Sequence, residues 1–222
     1  MQLLALNASP RGKGSNSNVI LGWVIEGWVS AGGGLVSRID LTDGHDMTLG
    51  RIAEAETILI AMPLYTDFIP GILKEVFDSL SLLPKEALEG KRLACVVHSG
   101  FPESIQSESC ATWLGRAALR LGFDYAGCLI KAGSEGYRIM PTRMTARTAE
   151  RFREAGRALA VSGVFPEEIK ANLAHPRTWN SRTQFVFRIM ALVGLSNLYW
   201  DSQLRKHRAF RHRFDAPYGP PA

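Results

Sequence analysis

The stretch Leu3–Asn18, "LLALNASPRGKGSNSN", joins an apolar run to a loop of small, hydroxylated, amide and cationic side chains. The apolar run predicts a first strand over Leu3–Asn7. The pattern that follows, "VILGWVIEGWV", predicts a helix from Asn18 to about Ala31, which the Gly32-Gly33-Gly34 sequence ends. A strand, a polar loop and a helix in this order are typical of an open α/β sheet, in which ligands bind outside the carboxyl ends of the strands.

Strand-like and helical patterns alternate over the rest of the first three quarters of the chain. Further strands are predicted at residues 35–41, 57–62, 92–99 and 125–131, and further helices at about 70–83, 107–121 and 145–161. Strands interleaved with helices imply crossover connections and a sheet covered on both faces. We therefore predict a doubly wound, five-stranded parallel sheet in the order 2-1-3-4-5.

Composition and charge divide the chain into two parts. The 222 residues are 46% hydrophobic and 21% charged, which is ordinary for a soluble globular protein. The alternating pattern predicts one domain over residues 1–165, and the remaining residues, 166–222, form a C-terminal extension without a further strand. The segment from Arg177 to Arg213 holds eight Lys and Arg side chains against one acid, Asp201, so the net charge of +5 resides in this extension.

The cysteines and the apolar runs favour a cytoplasmic protein. Cys95, Cys110 and Cys128 show no C-x-x-C spacing, which argues against a disulfide framework or a zinc site, and no metal is expected. The amino terminus does not fit a signal peptide, and no apolar run reaches the ~18 residues of a spanning helix.

The loop after the first strand is suited to an anion. The first amides of the following helix lack intrahelical acceptors, and Gly12 and Gly14 let the backbone approach a ligand closely. The alternative is a surface turn followed by an ordinary helix cap. The Walker A string is absent, and "GKGSNS" begins like G-x-G-x-x-G but has Ser17 in place of the third glycine.

Two later loops follow strands that neighbour the first one in the predicted sheet. "PLYTDF" begins at Pro63 and carries a polar aromatic residue, and "HSGFPES" begins at His98. One loop suits a phosphate and the other two suit a flat, partly polar ring, so the three together indicate a mononucleotide with an aromatic head. A lone histidine at a strand end is more often structural than catalytic, and we assign His98 to the structural class.

These loops carry a resemblance to a known family. "SPRGKGSNS" resembles the S-P-R-x-x-S-N-T phosphate loop of the NAD(P)H-dependent FMN reductases, and "PLYTDFIPGILKEVFD" resembles their flavin-ring segment. "HSGFPE" is similar to the third loop of a subgroup of related flavoproteins. The resemblance spans roughly residues 1–165. It implies a flavodoxin-like fold, bound FMN, NAD(P)H as electron donor, a small-molecule electron acceptor and a homodimer. Ala8 stands where the family usually has glycine.

The resemblance also assigns residues to the cofactor. The phosphate would be held by Ser9, Arg11, Ser15, Asn16 and Ser17. The ring would be lined, largely through backbone groups, by Pro63, Leu64, Tyr65, Thr66 and Asp67, and its other edge would be closed by Ser99, Gly100 and Phe101. Because hydride transfer is the cofactor's own reaction, no catalytic acid or base is named.

Three functions remain open from the sequence. The leading one is an FMN-dependent oxidoreductase that acts on a quinone, a nitro compound, a flavin or a similar acceptor. The second is a flavin-carrying electron-transfer protein without its own NAD(P)H reaction, although such flavodoxins are typically acidic with a Thr-rich phosphate loop. The third is a non-catalytic binding module that docks through the basic extension.

The extension has a pattern of its own. "FVFRIMALVGLSNLYW" has helical amphipathic character, and the aromatic residues near its ends are Trp179, Tyr199 and Trp200. Aromatic and arginine side chains together suit a membrane surface or an acidic partner. We favour a C-terminal helix that packs on the domain or across a dimer, with peripheral membrane contact as the alternative. No nucleic-acid motif accompanies the charge, so no nucleic-acid partner is expected.

Overall fold

A computed structural model of the protein describes residues 2–194 and 197–215, apart from the side chain of Tyr199. The chain divides into two compact units, residues 1–178 and 179–222. Of the amphipathic segment in the extension, residues 195–196 and the Tyr199 side chain lie outside the described part.

The first unit is built on one five-stranded parallel sheet. Its strands are β1 (Leu3–Asn7), β2 (Val36–Asp40), β3 (Thr57–Pro63), β4 (Arg92–His98) and β5 (Asp124–Lys131). They lie in the order β2-β1-β3-β4-β5. This order confirms the predicted fold class, a flavodoxin-like α/β fold.

Helices connect the strands and cover both faces of the sheet. In the first unit they are α1 (Asn16–Ser30), α2 (His45–Glu54), α3 (Gly71–Leu80), α4 (Ile105–Leu121), α5 (Thr142–Ser162) and α6 (Glu167–Ala174). The described part of the second unit contains α7 (Ser181–Leu192), α8 (Leu198–Lys206) and a 3-10 turn at Phe210–His212. Among the helices of the described residues, none is both long enough and apolar enough to cross a bilayer.

Two helices of the first unit were not expected from the sequence. Helix α2 has few apolar residues, and its N-cap is Gly44, at φ 141°, without a side-chain cap. Helix α6 follows Pro166 and buries Leu173 completely. The amide of Phe165 donates to the carbonyl of Ala126 in β5 (2.8 Å), and α6 then packs against that strand. The first compact unit therefore extends beyond residue 165 to Thr178.

The central strands bury side chains on both faces. Leu4 and Leu6 of β1 join one apolar cluster with residues of α2, α3 and α4, whereas Leu3 and Ala5 join a second cluster with residues of α1, α5 and α6. Every residue of β1 and β3 is buried. This two-sided burial explains the nearly continuous apolar runs of both strands.

Helices α1 and α5 approach each other through glycine. A Cβ atom added at Gly27 would lie 2.0 Å from the carbonyl oxygen of Arg153, and one added at Gly156 would lie 2.0 Å from that of Val24. Because the neighbouring atoms belong to the backbone, no side-chain rotation relieves these overlaps. The contact fixes α1, and α1 begins at the anion-suited loop.

The glycine contact predicts opposite effects for two alanine substitutions in α1. We expect Gly27→Ala to lower the free energy of unfolding by about 3 kcal/mol, because the added methyl group forces the helices apart. Gly22→Ala is the matched control, since a Cβ there meets nothing within 4 Å. It should raise the free energy of unfolding by about 0.5–1 kcal/mol. Urea unfolding of both variants measures the difference, and equal effects would contradict the contact.

Candidate functional site

The carboxyl ends of β1, β3, β4 and β5 meet at one edge of the sheet, and a cavity of about 140 Å³ opens there. Most of the predicted cofactor-binding residues line it: Ser9, Arg11, Ser15, Asn16, Pro63, Leu64, Tyr65, Ser99 and Gly100. The lining does not include Ser17, Thr66, Asp67 or Phe101. Three residues outside the predicted set also line the cavity: His98, Ser134 and Glu135.

The loop after β1 is held by the side chain of Asn7. This buried amide donates to the carbonyl of Gly12 (2.8 Å) and to Asp40 Oδ1 in β2 (2.6 Å). Its carbonyl oxygen accepts from the Ser9 amide (3.2 Å) and from the Ser15 hydroxyl (3.3 Å). One side chain therefore ties both ends of the loop to the neighbouring strand.

The same hydrogen bonds decide which loop groups still have a donor to offer a ligand. The Ser15 hydroxyl gives its hydrogen to Asn7 and accepts from the Asn18 amide (3.1 Å), so it caps α1. Asn16 Oδ1 accepts from the Arg138 amide (3.1 Å), which leaves the Asn16 NH₂ group as a donor beside the cavity. The Ser9 oxygen accepts from the Arg11 amide (3.3 Å) and keeps its hydroxyl hydrogen.

Only a few groups therefore make the loop after β1 suitable for binding an anion. They are the Ser9 hydroxyl, the Arg11 guanidinium and the Asn16 amide, together with the amides of Asn16 and Ser17, which have no intrahelical acceptor at the start of α1. Arg11 is exposed. A guanidinium, neutral donors and a helix N-terminus facing one cavity are suited to a phosphate group.

The hydroxyl of Ser17 points away from this set, into a buried hydrogen-bond chain. Ser17 Oγ lies 2.7 Å from His98 Nε2, and His98 Nδ1 lies 2.8 Å from Ser134 Oγ. Ser134 Oγ in turn donates to the carbonyl of Ser99 (2.9 Å). Since that carbonyl only accepts, Ser134 must accept from His98 Nδ1–H. His98 Nε2 is then an acceptor, and Ser17 donates to it.

Burial keeps the His98 ring neutral. Only 4% of its surface is exposed, and desolvation lowers its pKa from 6.5 to about 4. The neutral ring, with its proton on Nδ1, links the start of α1 to the loop after β5. This geometry agrees with the structural role that the sequence favoured for His98.

The loop after β3 makes a tight turn at residues 65–68. The amides and carbonyls of Tyr65 and Phe68 exchange two hydrogen bonds of 3.0 Å. Thr66 and Asp67 between them have φ of 50° and 61°, a left-handed conformation that is rare for a β-branched residue such as Thr66. Strained backbone of this kind is concentrated at binding sites. The turn leaves the amides of Thr66 and Asp67 outside its two hydrogen bonds.

The loop after β4 contributes an unpaired hydroxyl. Ser99 Oγ is buried and has no hydrogen-bond partner within the described residues, yet Ser99 lines the cavity. A buried hydroxyl without a partner costs about 1–3 kcal/mol, so a ligand that bonds to it would recover that cost. Phe101 lies outside the lining, and 46% of its surface is exposed.

The loop after β5 was missed by the sequence reasoning. Its segment "KAGSEGY" sets Ser134 and Glu135 between two glycines of positive φ, Gly133 and Gly136, immediately after a strand. A Cβ at Gly100 would lie 3.5 Å from Glu135 Oε2, so this carboxylate stands against the third loop. The rule that carboxyl ends of parallel strands share one edge would have included this loop.

Comparison with known proteins supports the resemblance drawn from the first two loops. Residues 1–107 match the model of the family described as NADPH-dependent FMN reductase, which confirms the resemblance over that part of the chain. The matched part contains β1 to β4 and the first three cavity loops. A search among curated proteins found no match.

Several solved structures have a similar fold. An NAD(P)H:quinone oxidoreductase from Methanothermobacter marburgensis is 20% identical, with a TM-score of 0.56, over 72% of this chain and 96% of that one. An FMN-dependent NADH-azoreductase from Bacillus anthracis, solved in complex with FMN, is 18% identical, with a TM-score of 0.55, over 72% of this chain and 100% of that one. Trp repressor binding protein from Bacillus subtilis is 19% identical, with a TM-score of 0.56, over 71% and 96%. At these identities the likeness shows the fold alone.

The buried His98 ring predicts a loss of stability in acid. Its folded pKa lies below the unfolded value, so the unfolded chain binds the extra proton between pH 6.5 and pH 4. The neutral ring's contribution is present above pH 6.5 and is lost as the pH falls towards 4. From pH 6.5 to 5, the free energy of unfolding of the native sequence should fall by about 2 kcal/mol more than that of His98→Gln. Parallel pH curves in urea unfolding would contradict this.

Proposed function

We propose that this chain, whose first 107 residues match the NADPH-dependent FMN reductase family, is an FMN-dependent oxidoreductase. Electrons would pass from NAD(P)H to a small acceptor such as a quinone, a nitro compound or a flavin. The cavity at the carboxyl ends of the strands is the proposed site. The proposal includes the cytoplasmic location and the homodimer that the sequence led us to expect.

The phosphate of FMN would lie at the start of α1. Ser9, Arg11 and Asn16 would donate to it through side chains, together with the amides of Asn16 and Ser17. Ser15 and Ser17 belong to the same loop, but their hydroxyls serve the helix cap and the His98 chain. Their proposed contribution is therefore to fix the loop rather than to donate through the hydroxyl.

The flavin ring would lie between the loops after β3 and β4. Pro63, Leu64 and Tyr65 would line it, and the amides of Thr66 and Asp67 would donate to its polar edge. Ser99 and Gly100 would close the opposite edge, with Phe101 further out. The observation that carries the proposal is the buried, unpartnered Ser99 hydroxyl, because it stands beside a cavity whose other walls supply a phosphate-binding loop.

The protein residues would serve mainly to position the cofactor. When bound, FMN supplies the chemistry of accepting a hydride and passing electrons on. His98, neutral and hydrogen-bonded through both ring nitrogens, would hold the α1 loop and the β5 loop in register. Tyr65, with 43% of its surface exposed, stands at the rim of the cavity, where the ring and an acceptor would meet.

Removing the proposed phosphate cation should weaken FMN binding. Arg11→Ala loses one charge-assisted contact, which should lower FMN affinity about ten- to a hundredfold. Lys13→Ala is the control, because Lys13 is an exposed cation of the same loop that does not line the cavity. Fluorescence titration of the apoprotein measures both affinities, and equal losses would reduce the role of Arg11 to general electrostatic attraction.

Removing the Ser99 hydroxyl should change the stability of the apoprotein and its affinity for FMN in opposite directions. Ser99→Ala removes an unpaired buried hydroxyl, so the apoprotein should become more stable by about 1 kcal/mol, while FMN affinity should fall about tenfold. Among the described residues, the Ser107 hydroxyl is likewise buried without a partner, but Ser107 lies in α4 outside the cavity lining. Ser107→Ala should therefore stabilise the apoprotein and leave FMN affinity unchanged. An unchanged FMN affinity in Ser99→Ala would contradict the proposed placement of the ring.

The reaction is tested by adding NADPH or NADH, without oxygen, to the FMN-loaded protein. Rapid bleaching of the flavin absorbance, followed by its return on addition of a quinone, is expected of the proposed enzyme. Slow or absent bleaching would indicate an electron carrier that is reduced by another protein. A chain that retains no flavin would indicate a binding module. Light scattering of the same sample measures the mass and so tests the homodimer.

A further inference from the structure

Within the described part of the second unit, nothing covers an apolar stripe along helix α7. None of its side chains is buried, although it is rich in large apolar residues. Phe185, Ile189 and Leu192 are spaced i, i+4 and i+7, so they lie along one face of the helix. Their exposed fractions are 65%, 45% and 82%, and Val193 continues the stripe. Such a face in water is unfavourable and marks a surface that meets a partner.

Cations surround this stripe in the sequence of the second unit. Residues 179–215 include seven Lys and Arg side chains and two acids. The seven cationic residues are Arg182, Arg188, Arg205, Lys206, Arg208, Arg211 and Arg213. We group these cations with Phe185, Ile189, Leu192 and Val193, which share the second unit with them, under the name tail patch. Long basic side chains beside apolar ones keep their charged ends in water while their stems cover apolar surface.

The residues after α8 gather part of this charge around aromatic rings. The Arg213 guanidinium lies 3.9 Å from the centre of the Phe210 ring and 4.6 Å from that of Phe214. Among the described residues, the lining of a cavity of about 510 Å³ there consists of Arg205, Arg208, Phe210, Arg211 and His212. One carboxylate lies beside it, because Asp215 Oδ2 is 2.7 Å from His212 Nδ1. An open, cationic recess of this size would admit a phosphate-bearing group.

We propose that the tail patch docks the protein on the surface of a bilayer that carries anionic lipid. The apolar stripe would enter the boundary between headgroups and acyl chains, while the arginines would contact lipid phosphates. Helix α7, at 12 residues, is about 18 Å long and lies on such a surface rather than spanning it. The sequence favoured a tail helix packed on the domain or across a dimer, with peripheral membrane contact as the alternative, and the proposal adopts that alternative.

Charge and chemistry favour lipid over the other occupants. A two-fold interface between two tail patches would set like charges against each other, because such an interface uses the same surface on both subunits. A nucleic acid would satisfy the arginines but would leave the stripe of Phe185, Ile189 and Leu192 without a role. An anionic bilayer is complementary to both halves of the patch.

Vesicle co-sedimentation of the full chain tests the proposal without reference to flavin chemistry. The native sequence should sediment with vesicles of phosphatidylcholine mixed with phosphatidylglycerol, and binding should weaken as salt is raised. Vesicles of phosphatidylcholine alone should bind far less. Comparable binding to both kinds of vesicle, or no binding at low salt, would overturn the proposal.

Paired variants separate the two halves of the patch. Arg211→Gln with Arg213→Gln should weaken vesicle binding about 25-fold, since each cation contributes about fivefold. Arg143→Gln with Arg147→Gln removes two exposed arginines of α5 and should change nothing beyond a small general effect. Phe185→Ser with Leu192→Ser should weaken binding at least about tenfold, whereas Leu82→Ser with Leu119→Ser, exposed in the first unit, should not.

Two further results would show that the tail patch binds a different partner. If Phe185→Ser with Leu192→Ser converts a dimer to a monomer and neither protein binds vesicles, the patch is an interface between two copies. If a single-stranded RNA oligomer binds the native sequence and the vesicles do not, the partner is a nucleic acid. Either result overturns the proposal. Circular dichroism and the mass of each variant confirm that it is folded.

Discussion

The candidate site depends on the buried amide of Asn7. This side chain ends β1, and its four hydrogen bonds reach Ser9, Gly12, Ser15 and Asp40. Asn7 is fully buried, so each of its polar atoms needs a partner, and the loop supplies them in one arrangement. The loop between β1 and α1 is consequently shaped by the protein before any ligand arrives. Which hydroxyls remain as donors follows from this arrangement.

The sheet was predictable because its signals are local. Nearly continuous apolar runs, which are typical of strands buried on both faces, identify β1 and β3. Glycines mark the ends of α1 and α4. The loops around Ser9 and Tyr65 were found because the carboxyl ends of the strands and the family resemblance point to them. Helix α2 was not predicted, since it has only ten residues, begins after a glycine without a side-chain cap and buries only Thr48 and Ile52.

The features of the site that the sequence did not predict depend on contacts between residues far apart in the chain. Asn7 is the last letter of an apolar run, and nothing in its neighbours indicates that it would bridge to Asp40, 33 positions away. The sequence likewise assigned a phosphate role to Ser17, whereas the fold brings its hydroxyl to His98, 81 positions away. Ser134 and Glu135 reach the cavity because β5 ends beside β4. Which group donates and which accepts in each of these hydrogen bonds can be assigned only when all the partners are known.

The glycine contact between α1 and α5 has a consequence for how the protein tolerates change. Gly27 and Gly156 hold two backbones together, so a larger residue at either position moves a whole helix rather than a single side chain. The helix that moves also carries the amides of Asn16 and Ser17 at its beginning. The rigidity of this helix pair would thus be coupled to the proposed phosphate site through two residues that do not line the cavity. Substitutions at Gly27 or Gly156 would change the position and direction of the loop's donor groups even where the protein still folds. Mutating only the residues that line the cavity would miss this effect.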